Sequence, residues 1–127
     1  MKLDYQLIKD ILLTLENYPQ HQMSSFDLMN SLNIDENSLE EFIGHIKIMG
    51  DYCLIESSDK QGNYGFMLAA NGRIIPVNCN YRLTASGYEF LDILKNDTIF
   101  KKIKDYAIPN AIEIGKQLLV SFLVKQF

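Results

Sequence analysis

The sequence predicts an α+β fold, mostly helical: a winged helix-turn-helix with an enlarged β-wing and additional C-terminal helices. Three observations carry that expectation. Apolar residues recur at helical spacing through three N-terminal segments, and the second and third are joined by a very short link around Asn33–Asp35. The period then becomes strand-like from about residue 52 to residue 83, broken by turn residues such as Asn71–Gly72. Helical spacing resumes after Thr84 and persists to the C-terminus. Residues 1–96 are expected to form the winged domain, with the wing at about 52–83. Residues 97–127 are expected to add a helical extension, packed as part of the same domain and used for dimerisation.

The first helix is expected from Asp4, an N-cap, to Asn17 or Tyr18, where Pro19 stops it; Leu7, Ile8, Ile11, Leu12 and Leu15 form its apolar stripe. The second starts at Ser24, with Asp27 completing a capping box, and ends at Asn33, which tolerates a left-handed conformation. Asp35 is read as the cap of the third, "DENSLEEFIGHIKIMG", which Gly50 ends. That helix turns Leu39, Phe42, Ile43, Ile46 and Met49 inward. Its outward ridge is Asn37, Glu41, Gly44 and Ile48, flanked by Glu40 and His45.

Strands are expected in "DYCLIES", "YGFMLAA", "RIIPV" and "CNYRL", with Asn71–Gly72 as a two-residue hairpin turn and Pro76 confined to an edge or bulge. Thr84 caps a fourth helix, in which Gly87 permits close approach of a strand. Asp97 caps a fifth, and Pro109 suits the first position of a sixth.

At "YRLTASGYEFLDILKNDTIF" the chain resembles a family of uncharacterised bacterial and phage-encoded proteins, a domain of unknown function. The shared pattern is Leu83, Thr84, Gly87, Phe90, Leu91, Asp92, Asn96, Asp97 and Thr98. The opening "MKLDYQLIKDILLTLE" and the segment "HIKIMGDYCLIE" resemble the same family. The departure is Ala85–Ser86, where the family carries an aromatic-acidic pair. The resemblance implies a winged-helix fold in a bacterial or prophage setting, and brings no catalytic residues.

The length suits one domain, and no apolar window approaches the ~20 residues of a membrane span. The N-terminus alternates charge and apolarity unlike a signal peptide, so a cytoplasmic protein without membrane association is expected. Cys53 and Cys79 lack metal or redox spacing and are read as buried thiols; no metal and no cofactor is expected. Phosphate loops, nucleophile elbows and zinc-protease motifs are missing, and an acid–base pair of Glu41 and His45 has nothing else converging on it. The expected protein is therefore not an enzyme.

Charge divides along the chain. Residues 1–59 hold three basic and eleven acidic residues, a balance of −8, and residues 60–127 hold nine basic and five acidic, a balance of +4. Two functions follow. One is a nucleic-acid-associated regulator touching phosphate through Lys60, Arg73, Arg82, Lys95, Lys101, Lys102 and Lys104. The acidic third helix opposes ordinary major-groove reading, because its carboxylates repel the duplex. The alternative is a protein-interaction module using Glu40, Glu41, Gly44, His45 and Ile48. In both, a homodimer forms through Leu118, Leu119, Phe122 and Leu123, since the last helix is apolar on nearly every side.

Overall fold

A computed structural model describes residues 1–125. Helix α1 (Tyr5–Asn17) starts where the Asp4 carboxylate accepts the N–H groups of Gln6 and Leu7. A two-residue strand, β1 (Met23–Ser24), leads into α2 (Ser25–Ser31), capped by the Ser24 hydroxyl on the Asp27 N–H. Asn33 closes α2 at φ 55°, as its short polar side chain allows. The N–H groups of Asn33 and Ile34 return to the carbonyls of Asn30 and Met29, which satisfies the helix end.

Helix α3 (Leu39–Asp51) departs from expectation at both ends. Asp35 caps a turn rather than the helix. Its Oδ1 accepts from Asn37 and Ser38 N–H at 2.9 and 3.0 Å, so the regular helix begins at Leu39. Gly50 does not end the helix. The left-handed closing residue is Cys53 (φ 57°), whose N–H and that of Leu54 reach the carbonyls of Gly50 and Met49. Gly50 serves close packing instead: a Cβ there would lie 2.1 Å from the Tyr64 hydroxyl.

Strands β2 (Ile55–Ser57) and β5 (Asn80–Leu83) join β1 in an antiparallel sheet of order β1-β5-β2. Its registers pair Met23 with Tyr81 and Ile55 with Leu83. Between β2 and β5 the chain makes a separate two-stranded hairpin, β3 (Phe66–Leu68) and β4 (Ile74–Pro76). The Asn-Gly turn forms, but not as a two-residue loop. Ala69 O accepts from Gly72 N–H, Arg73 O accepts from Ala69 N–H, and only Gly72 is left-handed (φ 80°). This is a type I turn with a glycine bulge, a three-residue connection.

Thr84 caps α4 (Ala85–Lys95) through the Gly87 N–H at 3.0 Å. A Cβ on Gly87 would lie 2.1 Å from the Leu54 carbonyl oxygen, which is the anticipated close approach. Helix α5 (Asp97–Ile103) is capped by Asn96 rather than Asp97, and in α6 (Ile108–Lys125) Pro109 is the second residue. Ile99, Ile103, Ile108 and Ala111 from these two helices belong to the same buried cluster as Ile8, Phe42, Tyr81 and Phe90. Among the described residues no helix is long and apolar enough to cross a membrane.

Candidate functional site

The inner face of α3 buries Phe42, Ile43, Ile46 and Met49, as its periodicity requires. Glu40, Glu41 and Lys47 stay exposed. His45 does not belong with them. It is fully buried: its Nδ1 lies 2.7 Å from the Glu41 carbonyl and its Nε2 accepts the Asp4 N–H at 2.9 Å. Those contacts require the proton on Nδ1, bonded within α3, leaving Nε2 to pin the start of α1. His45 is a clasp between two helices and offers nothing to a partner. The 100° per residue rule placed it beside the outward ridge, because the N-terminal segment that covers it is invisible to a helical wheel.

That segment also reaches Gly44, where a Cβ would lie 2.5 Å from the Met1 sulfur. Ile48 is half-buried against the core. The open part of the face is therefore Glu40, Glu41 and Lys47, and it is bounded by an element that the sequence placed in the wing. Phe66 is buried with its ring edge-on to Phe42, centroids 6.2 Å apart and planes at 81°. This anchors the β3–β4 hairpin beside α3. Between them lies a cleft of about 280 Å³, lined by Glu40, Ile43, Gly44 and Lys47 from α3 and by Phe66, Met67, Leu68 and Ile74 from the hairpin. Leu68 is 76% exposed and Met67, Ile75 and Val77 are also open to solvent.

A second groove of about 640 Å³ runs on from the cleft past Glu36, Asn37, Leu39 and Glu40 to Arg73 and Pro76. Glu36, Glu40 and Glu41 have no ion-pair partner among the described residues. The Asp35 carboxyl, in the turn before α3, sits below the usual carboxylate range, chiefly through the Ser38 backbone N–H and then the Ser38 hydroxyl.

The basic candidates are dispersed. Arg82 pairs with Glu56 across the sheet, and Lys95 pairs with Glu16 at 2.7 Å. Lys60 lines a pocket with Cys53, Glu56 and Asp59, and Arg73 lines the groove holding Glu36 and Glu40. Lys104 borders a cavity with Lys2, Asp4, Glu41 and Asp105. Only Lys101, Lys102 and Lys104 remain close together, on and just after α5, without ion pairs among the described residues.

The thiols differ from expectation. Cys53 is exposed because it caps α3 instead of entering a strand; Cys79 is partly buried, 3.6 Å from the Ser57 hydroxyl. Among the described residues no group of His, Cys, Asp or Glu is arranged to hold a metal.

On α6, Leu118, Leu119 and Phe122 are half-buried against the core, so they are not wholly free for a second chain. Leu123 is exposed, and with it Val120 and Val124, which lie outside the expected dimer contact. Positions 120, 123 and 124 fall within an arc of roughly 100°, a stripe that a finer wheel would have separated from the inward side.

No curated protein and no solved structure gives a significant match to the chain. The family model described as "Hypothetical protein (DUF2513)" matches residues 2–113, from the lead into α1 to the start of α6. The chain therefore belongs to the DUF2513 family.

Proposed function

We propose that this chain is a non-enzymatic winged-helix protein that works by binding protein rather than by reading DNA, with the outer side of α3 and the β3–β4 hairpin as its docking face. The winged-helix assignment is supported by the order α1-β1-α2-α3-β2-β5 and by the strand order β1-β5-β2, in which the strand between the first two helices closes the wing into a three-stranded sheet. In such a fold α3 is the helix that would enter the major groove. The observation that carries the docking reading is local. Glu40 and Glu41 stand open with no ion pair among the described residues, and the hairpin, fixed by Phe66 on Phe42, occupies space beside the same helix. A duplex would meet carboxylates where affinity requires lysine and arginine. A protein would meet an apolar cleft with a charged rim, the composition of a small interface.

Free Cys53 and Cys79 fit a reducing cytoplasm, and the family resemblance suggests a bacterial or prophage host. The exposed stripe on α6 supports a homodimer. The test is affinity capture with wild type beside the Glu40→Lys/Glu41→Lys variant, whose changes lie on exposed positions. The proposal expects partners to be lost in the variant; an identical partner set removes it. Ile48→Asp is a poorer probe, since that side chain helps cover the core.

A second reading is favoured by one observation: Lys101, Lys102 and Lys104 form the one cluster of cationic candidates left unpaired among the described residues. Nucleic acid would then lie against α5, not α3. Low-salt binding lost in a Lys101/Lys102/Lys104 triple-alanine variant would support it, with about 0.9 log unit of affinity lost per log unit of salt for each phosphate neutralised.

A further inference from the structure

The tip of the β3–β4 hairpin is Asn71–Gly72, the one asparagine–glycine step in the chain. The nine other asparagines are each followed by a residue that carries a side chain. Asn71 and Gly72 are both exposed, and a Cβ at Gly72 would meet nothing within 4 Å. The peptide nitrogen after Asn71 therefore has no side chain beside it. The Asn71 carboxamide is turned back along the chain: its Oδ1 accepts the Arg73 N–H at 3.0 Å. This Asx turn closes a loop of atoms around the Gly72 nitrogen and folds the carboxamide carbon toward it. The same hydrogen bond draws electron density from that carbon and makes it a better electrophile. One restraint opposes, since the Gly72 N–H donates to the Ala69 carbonyl at 2.9 Å. That bond lies at the exposed tip of a hairpin that pairs with no other sheet, where local opening costs little.

We propose that Asn71 is a site of spontaneous modification, an intramolecular deamidation that turns its neutral side chain into a carboxylate. Hydroxide removes the Gly72 N–H proton, and the nitrogen attacks Asn71 Cγ. The N–Cγ bond forms, the Cγ–Nδ2 bond breaks, and Nδ2 leaves as ammonia after taking a proton from water. Water then adds to either carbonyl of the resulting succinimide. Opening at Cγ gives aspartate at position 71. Opening at the main-chain carbonyl gives isoaspartate, with the backbone now routed through Cγ. Only water is consumed, and the step is driven by a nucleophile already held beside its target. Both products add a negative charge next to Gly72 and Arg73, which line the groove holding Glu36 and Glu40. Isoaspartate also lengthens the connection between β3 and β4, which disturbs the Ala69–Gly72 and Ala69–Arg73 bonds of the turn.

The test incubates the full chain at mildly alkaline pH, folded and in concentrated urea, beside Asn71→Gln and Asn71→Asp. Peptides are mapped by mass spectrometry and released ammonia is measured. Folded wild type should convert at Asn71 at least about tenfold faster than at any other asparagine, a barrier lower by at least about 1.4 kcal/mol. The rate should rise with pH, and ammonia should appear in step with product. Part of the product should coelute with the Asn71→Asp peptide, and the remainder, of equal mass, is the isoaspartate form. Asn71→Gln would have to close a larger ring, so its peptide should stay unconverted.

An Asn71 that converts in urea but stays intact in the folded chain would show that the Gly72–Ala69 bond protects it, and overturns the proposal. So does an Asn71 that converts in neither state, or earlier conversion elsewhere, as at exposed Asn37 before Ser38. Ammonia release that persists unchanged in Asn71→Gln counts against the site in the same way. The chemistry needs no partner, so none of these outcomes bears on the docking face, which the Glu40→Lys/Glu41→Lys capture decides.

Discussion

Three side chains hold positions that decide local stability. Cys53 closes α3 in a left-handed conformation that costs a Cβ-bearing residue about 1 kcal/mol, and its exposed thiol contributes little packing in return. Cys53→Gly should therefore raise stability by about 0.5–1 kcal/mol, read as a higher urea midpoint with unchanged slope. His45 acts in the other direction. Removing it leaves the Asp4 N–H and the Glu41 carbonyl without their partner and opens a cavity, so His45→Ala should cost roughly 2–4 kcal/mol. Tyr5 donates to the Tyr106 carbonyl at 2.6 Å, and burial, then the nearby Tyr52, pushes its hydroxyl up from 10.0 to about 12. A raised value means that the folded state holds the proton more tightly. That stabilisation is complete below pH 10.0 and is lost as pH climbs from there to about 12. Tyr5→Phe should lower stability at neutral pH by about 1 kcal/mol and flatten the loss above pH 10.0, measured by urea unfolding across that range.

Among the elements, the hairpin is the most independent. Strands β3 and β4 bond to each other and not to the three-stranded sheet, and Phe66, edge-on to Phe42, and Ile74 tie them to the core. Replacing residues 66–76 with a short glycine-rich turn should preserve the helical circular dichroism and the sheet while removing the cleft. Collapse of the whole fold would show that the hairpin is part of the folding core. Helix existence was legible in the sequence because α1, α3 and α4 carry a clear inward stripe, and Asp4, Ser24 and Thr84 cap as their side chains suggest. Helix ends were less legible. Asp35 and Gly50 each had a second use, one in a turn and the other under Tyr64, and a sequence does not say which use wins. The hairpin itself was foreseen; its lodging against α3 was not, because nothing local in "YGFMLAA" or "RIIPV" names Phe42 as the partner of Phe66.

At the scale of the molecule the balance of −8 and +4 between the two parts of the chain is partly mixed by folding, since Lys95 meets Glu16 and Lys9 meets Asp97. The carboxylates of α3 form no ion pair among the described residues, although Lys47 and Arg73 line cavities with Glu40, and Lys2 and Lys104 line one with Glu41. Of the residues expected to meet a protein, Glu40 and Glu41 remain available, whereas His45 is withdrawn into the core and Gly44 lies under Met1. Burial by a distant segment has no periodic trace, which is why those two could not be sorted from the ridge beforehand. The account turns on α3 facing protein and not a duplex, and the most direct measurement is anisotropy of a labelled DNA duplex at low salt with wild type and Lys47→Ala. Lys47 is the exposed cation of α3, so the account predicts that its removal leaves the titration as it is for wild type, flat or carried by the α5 lysines. Clear binding by wild type that disappears in Lys47→Ala would seat the duplex on α3 and contradict it.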